Sequence, residues 1–158
     1  MVRQILISRP GQSAQIGLKE QFPDSVPSSC DLIADLAERI AAFLDGADVR
    51  FALEAVRLDL CPPFQRRVLL AEYGIPRGSV STYARIAVHL GTPGGARAVG
   101  NALATNPFPI VIPCHRAIRS DGTLGGYQGG LAMKKVLLVQ EGVDIDERGK
   151  VRSPRLFY

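Results

Sequence analysis

Tryptophan is absent from the 158 residues, and aromatic side chains make up only 6% of them. Cysteine occurs three times, at positions 30, 61 and 114, without close spacing and without a C-x-x-C pair. An odd, scattered set of that kind implies no disulfide framework. The two histidines, His89 and His115, form no ligand pair, so no metal centre is expected. No apolar run approaches the roughly 20 residues that span a bilayer. The piece Ile5-Leu6-Ile7 lacks the architecture of a signal peptide, so the expected compartment is the cytoplasm. The spacing G-x-x-x-x-G-K-[ST] is missing too, which excludes a phosphate loop of that type, and no cofactor is implied.

What is present is an ordinary globular composition, 46% hydrophobic and 22% charged, long enough to bury a core without staples. The charge is uneven. Residues 1–61 carry 6 Lys and Arg against 9 Asp and Glu, whereas residues 62–158 carry 13 against 6. A basic half suggests a polyanionic partner, nucleic acid first, and arginine supplies most of the charge, which suits phosphate contact. Cys61-Pro62-Pro63 is the best boundary in the chain. It divides a smaller part, 1–61, from a larger one, 62–158.

The first part reads as mixed. Val2 to Ile7 is expected as an edge strand ended by Arg9-Pro10-Gly11, with residues 14–20 as a pairing partner. Ser28 or Ser29 is expected to cap a helix over about 31–45, whose stripe is Ile33, Leu36, Ala37, Ile40, Phe43 and Leu44. Phe51 to Leu60 alternates weakly and is expected as a strand. The second part reads as mainly helical. Pro62 or Pro63 can start a helix to about residue 73, with Phe64 and Val68 inward. Ser81 or Thr82 caps the next, with Tyr83, Ile86, Ala87 and Leu90 inward. After Gly91-Thr92-Pro93-Gly94 a further helix runs to Ala104, with Ala96, Val99, Gly100 and Leu103 inward. Two short helices joined by such a turn resemble a helix-turn-helix, and Arg97 falls on the outer face with Asn101, where a recognition helix meets nucleic acid. A last helix, about 131–141, carries Met133, Val136 and Leu137. Glu141 leans toward its apolar side and needs a partner, for which His115 is suited.

The stretch that organises these elements is Ile110-Val111-Ile112-Pro113-Cys114-His115-Arg116. Three β-branched residues predict a short buried strand, stopped at Pro113. It delivers Cys114 next to two basic residues, conditions that lower a thiol pKa and make a nucleophile. Asn106-Pro107 precedes it as a turn. Asp121 to Gly130 follows as a glycine-rich loop with Tyr127 at its centre.

Those residues resemble the O6-alkylguanine-DNA alkyltransferases, the methylated-DNA–protein-cysteine methyltransferases. The resemblance runs from Pro63 to Gly142. Pro63-Phe64-Gln65, Ile75-Pro76-x-Gly78, Ala96-Arg97-Ala98-Val99-Gly100, Asn106-Pro107, Pro113-Cys114-His115-Arg116 and Gly129-Gly130-Leu131 fall in the family's order. It implies an α/β fold: a reduced N-terminal α/β part, then a mainly helical part with a helix-turn-helix and the short strand leading to Cys114. It also implies a monomeric DNA repair protein with no obligate protein partner. Such a protein flips O6-alkylguanine out of duplex DNA and moves the alkyl group irreversibly to Cys114. His115 would activate the thiol through a water and Glu141 would orient His115, while Asn106 holds the preceding turn. Arg97 would fill the vacated stack. Tyr83 would assist flipping, with Thr82 and Asn101 beside it on the DNA side. Pro109, Tyr127, Gln128 and Gly129 would line the base pocket. The chain departs from the family at Leu69, where Trp is common, at Gln128, where Ser is common, and in lacking the zinc ligands of some relatives. Two other readings compete. One is a non-enzymatic alkyltransferase-like protein that only binds lesions, against which Cys114 argues. The other is a cysteine hydrolase using Cys114 and His115, which lacks an evident oxyanion-hole motif.

Overall fold

In the computed structural model, which describes residues 1–152 and 155–158, Ile110, Val111 and Ile112 are each at most 1% exposed. They belong to one core cluster with Leu36, Phe43, Val68, Ile86, Val99 and Leu137. They do not form the expected strand. Ile112 N donates to Phe108 O at 2.8 Å and Cys114 N to Ile112 O at 2.8 Å, so residues 108–114 fold back as tight turns. Ile110 takes φ +74°, a left-handed conformation that a β-branched residue adopts only when its surroundings impose it. Cys114–Arg116 then makes a single 3-10 turn.

Two helices, α1 (Ala14–Gln21) and α2 (Asp31–Leu44), belong to the first part. Four belong to the larger part: α3 (Pro63–Gly74), α4 (Tyr83–His89), α5 (Ala96–Ala104) and α6 (Gly130–Gln140). These four follow their hydrophobic spacing. Pro63 opens α3, and Thr82 caps α4 by accepting from Arg85 N at 3.1 Å. Val68, Ile86, Ala87, Val99, Leu103 and Leu137 are buried as their stripes require, whereas Val136 faces outward. β1 (Ser81–Thr82) and β2 (Ala117–Ile118) pair in parallel, Ser81 opposite Ala117 and Thr82 opposite Ile118. The chain end runs along the other side of β1: Val80 N donates to Arg155 O at 3.0 Å and Phe157 N to Val80 O at 2.9 Å. Tyr158 stacks on His89 with ring centroids 3.8 Å apart. The mixed α/β class therefore holds, with helix dominant.

The first part differs from expectation in detail. Residues 14–21 are helical, capped by Ser13, and bury no side chain, so their sequence carried no clear periodicity. Val2 makes only an isolated bridge to Val56, and 51–60 holds two 3-10 turns, Leu53–Ala55 and Leu58–Leu60, instead of a strand. Backbone satisfaction there comes from Val2, whose N donates to Ala55 O and whose O accepts from Arg57 N. The α2 N-cap is Cys30, not a serine, and makes no side-chain cap bond. Of its stripe, Leu36 and Phe43 are buried while Ile33 and Leu44 remain exposed.

Phe43 ties α2 to the rest. It packs edge-on against Phe51, centroids 5.8 Å apart, and lies 6.0 Å from the His115 ring. Replacing it by alanine is expected to cost about 3–5 kcal/mol, the range for a buried Phe. Urea unfolding should show one transition moved to lower urea. A loss below about 1 kcal/mol would mean that α2 packs without contributing to the core.

Candidate active site

The site begins with a turn that one side chain holds. Asn106 is 2% exposed, and its Oδ1 accepts from Phe108 N at 2.9 Å. Its Nδ2 donates to Ile112 O at 3.2 Å and to Cys114 Sγ at 3.2 Å. It thus satisfies backbone groups that a strand would have paired, and brings a donor to the sulfur. Gln128 closes the arrangement from the glycine-rich loop, donating from Nε2 to Asn106 O at 2.8 Å.

Cys114 itself is 5% exposed. Burial pushes its thiol up to about 11, and the Asn106 hydrogen bond only partly opposes this. The lowered thiol pKa expected from two adjacent basic residues is therefore overturned. The reason is local: the positive charge of Arg116 is committed elsewhere. Its Nε donates to Glu141 Oε2 at 2.8 Å, one Nη to Glu141 Oε1 at 2.7 Å, and the other to Ile75 O at 2.6 Å.

Glu141 takes His115 on the same carboxylate, with Nε2 to Oε1 at 2.9 Å. His115 is the partner that the apolar placement of this acid called for, and Arg116 is a second that spacing did not reveal. Burial would raise the Glu141 carboxyl, but hydrogen bonds from His115 and Arg116 outweigh it and hold it down to about 2. Burial lowers the His115 pKa, against the pull of Glu141. A neutral His115 facing an ionised carboxylate carries its proton on Nε2, a tautomer assigned from the hydrogen bonds. That leaves Nδ1 as an acceptor, buried and without a protein partner among the described residues. Cys114 and His115 share a 3-10 turn, not an extended strand, and no hydrogen bond joins them among the described residues.

A cavity of about 830 Å³ opens above Cys114. Arg97 and Asn101 of α5, Tyr83 of α4, and Tyr127 and Gln128 of the loop line it. Arg97 and Asn101 are exposed, as the helix-turn-helix reading requires of an outer face. Tyr83 is half-buried; burial, then Glu72 and Cys114, push its hydroxyl up to about 12. Gly125 has φ +68°, and a Cβ there would sit 2.6 Å from the Tyr83 hydroxyl oxygen, so only glycine lets the loop pass. Three candidates are placed differently. Thr82 is 7% exposed and commits its hydroxyl to the α4 cap. Pro109 is buried in the 108–114 turn, and Gly129 lies against Tyr127 and Ile7; neither lines the cavity.

Two buried ionisable side chains were not evident from the sequence. Lys134 of α6 is fully buried and donates from Nζ to Ala117 O at 2.6 Å, to Leu124 O, and to Gly126 O at 3.3 Å. It fastens the glycine-rich loop to β2. Glu72 of α3 is also fully buried, with both oxygens unpartnered among the described residues, and burial raises it to about 8 despite Lys134 and Arg116. Helical spacing carried the signal for each: Glu72 lies four residues after Val68, and Lys134 lies three before Leu137.

Residues 63–143 match the family model described as 6-O-methylguanine DNA methyltransferase, DNA binding domain. A methylated-DNA–protein-cysteine methyltransferase from Methanothermobacter thermautotrophicus is 48% identical over 130 residues, covering 82% of this chain and 72% of that one. The chain belongs to the 6-O-methylguanine DNA methyltransferase family. Among solved family structures, Mycobacterium tuberculosis OGT in complex with DNA superposes with a TM-score of 0.63 at 39% identity, covering 69% of this chain and 66% of that one. The Pyrococcus kodakaraensis O6-methylguanine-DNA methyltransferase gives 0.62 at 37%, covering 76% and 67%. A methylated-DNA–protein-cysteine methyltransferase from Salmonella typhimurium is matched at 54% identity over 51% of this chain and only 47% of its own length.

The carboxylate shared by His115 and Arg116 yields a stability test. A carboxyl depressed from 4.5 to about 2 contributes stability that is complete above 4.5 and disappears as pH falls through 2. Glu141→Gln should lose about 3–5 kcal/mol at pH 7, because Arg116 is left buried without its counter-charge. The variant should also lack the wild-type decline between pH 4.5 and 2 that this group causes. Parallel acid declines in urea melts of both proteins would show that Glu141 is not ionised in the fold.

Proposed function

We propose that this protein repairs DNA by moving the alkyl group of O6-alkylguanine to its own Cys114, acting as a monomer on duplex DNA. The observation that carries this reading is Cys114 lining a cavity walled by α5, with its sulfur held by Asn106 and with the buried His115–Glu141–Arg116 cluster next to it in the chain. Residues 62–158 form the working part in this reading, and 1–61 a reduced N-terminal part.

The target base is stacked inside the duplex and must leave it before its O6 can meet a buried sulfur. Flipping costs about a few kcal/mol. Arg97 at the start of α5 enters the stack and fills the gap, and Asn101 follows it one turn along the same face. Tyr83 and Tyr127 offer ring surfaces to the extruded base, and Gln128 stands beside them. Gly125, where a Cβ would meet the Tyr83 hydroxyl, lets the loop pass close to that ring.

Chemistry then needs a thiolate from a thiol near 11. His115 acts as the base through a water between Sγ and Nδ1, and becomes an imidazolium against the ionised Glu141. Asn106 donates to the sulfur as its charge develops. The sulfur attacks the alkyl carbon, the S–C bond forms, and the C–O6 bond breaks with its electron pair going to the guanine. The proton held by His115 returns to the leaving guanine. Carbon on that oxygen is a soft electrophile, for which a thiolate is the best side-chain nucleophile. The thioether has no route back, so each chain reacts once.

A hydrolase reading needs a direct cysteine–histidine contact and donors for an oxyanion. Here Sγ is bonded to Asn106 and His115 Nε2 to Glu141. A lesion-binding role alone leaves this buried acid–base chain behind Cys114 without use.

Intact-mass measurement after mixing with a duplex containing O6-methylguanine is the test. The wild type should gain one methyl per chain, located on Cys114. Cys114→Ser should still bind the duplex and gain nothing. Methyl on Cys30 or Cys61 in that variant at the wild-type rate would remove Cys114 as acceptor.

A further inference from the structure

The segment ahead of α1 is basic, whereas the rest of the N-terminal part is acidic. Residues 1–13 contain Arg3 and Arg9 and no Asp or Glu, while 14–61 contain four cations and nine anions. The two arginines line one cleft of about 490 Å³, with Arg57, Gln65 and Asn106. Arg9 also lines the cavity over Cys114. Arg57 is neutralised by Asp59 at 2.7 Å, but among the described residues no carboxylate lies within ion-pairing distance of Arg3 or Arg9.

Arg9 is held, not trailing. Ile5 N donates to Pro107 O at 2.8 Å, next to the Asn106 turn. Arg9 N donates to Gln12 O at 2.8 Å and Gln12 N to Arg9 O at 3.0 Å, closing a tight turn through Pro10 and Gly11. Pro10 lies so close to Gly130 that a Cβ there would come within 2.8 Å of it, and Ile7 lies 3.2 Å from a Cβ on Gly129. The turn is thus seated on the first residue of α6 and on the loop that carries Tyr127 and Gln128. It places an exposed guanidinium, without a carboxylate partner among the described residues, at the rim of the reaction cavity.

A nucleotide that enters a pocket base first brings its flanking phosphates to the rim. A guanidinium fork fits a phosphate better than any other side chain. We infer that Arg9, with Arg3 behind it, binds a backbone phosphate beside the flipped nucleotide, so that residues 3–12 are part of the DNA interface. The inference rests on the alkyl-transfer reading for the flipped geometry, but the phosphate contact is measurable without transfer.

Arg9→Ala and Arg9→Lys in the full chain decide it, through duplex affinity at several salt concentrations. Single-turnover transfer from duplex O6-methylguanine and from the free base O6-benzylguanine supplies the second readout. For alanine, affinity should fall about tenfold, as for a lost hydrogen bond to a charged group. The slope of log affinity against log salt should become shallower by about one. The ratio of duplex to free-base rate constants should drop by a similar factor. Lysine keeps the charge and should restore the slope and part of the affinity. Unchanged affinity and slope would overturn the assignment, as would equal slowing on both substrates, which would make the turn a packing element only. Loss confined to a duplex whose alkyl group bears a carboxylate would also overturn it, giving Arg9 to the adduct. A wild type that shows the Arg9-dependent salt effect yet gains no alkyl group would sink the transfer reading and leave the phosphate contact standing.

Discussion

The arrangement depends on one carboxylate. Glu141, just past the end of α6, accepts from a histidine and from Nε and one Nη of an arginine, whose other Nη reaches back to Ile75 after α3. Those bonds join the ends of two helices to the turn that carries Cys114. Burying an ion pair is costly, and only near-complete hydrogen bonding offsets the lost hydration. Arg116 meets that condition because its planar fork spans both carboxylate oxygens and a carbonyl; a lysine at the same point could not. With its charge balanced by Arg116, Glu141 keeps His115 in one tautomer.

Asn106 is the second constraint. A run such as Ile110-Val111-Ile112 invites a strand, but a strand needs neighbours for its backbone groups. Asn106 supplies a donor and an acceptor from a single side chain, and the run folds back on itself with Ile110 in a left-handed conformation. The geometry that strains the isoleucine also puts an amide 3.2 Å from the sulfur. Local backbone cost is thus stored beside Cys114.

Much of this was legible in the sequence. The helices α3 to α6 announce themselves because each buries one stripe, and Thr82, Pro63 and the glycines punctuate them. The pairing of Glu141 with His115 followed from an acid placed on an apolar face. The same rule would have found Glu72 and Lys134, whose positions differ only in having no obvious partner at hand. What spacing could not show were features decided across the fold. The turn at 108–114 is one, since its hydrogen bonds come from a side chain. The two 3-10 turns in 51–60 are another, since Val2 satisfies them from the far end of the chain. The thiol pKa misled for a related reason: neighbours in sequence put Cys114 near positive charge, while the fold commits that charge to Glu141 and buries the sulfur.

Two ways to activate a cysteine differ on that point. A thiol lowered in advance waits as thiolate; a thiol near 11 has to lose its proton during the reaction, and the proposed base is the neutral His115. The pH dependence of single-turnover alkyl transfer from a free base distinguishes them most directly. If His115 is the base, the rate should rise as the imidazole loses its proton, below its ordinary 6.5, and then stay level across pH 7 to 9. A rate that instead climbs about tenfold per pH unit from 7 toward 11 would show reaction through unassisted thiolate, and would contradict general-base catalysis by the carboxylate-bound histidine.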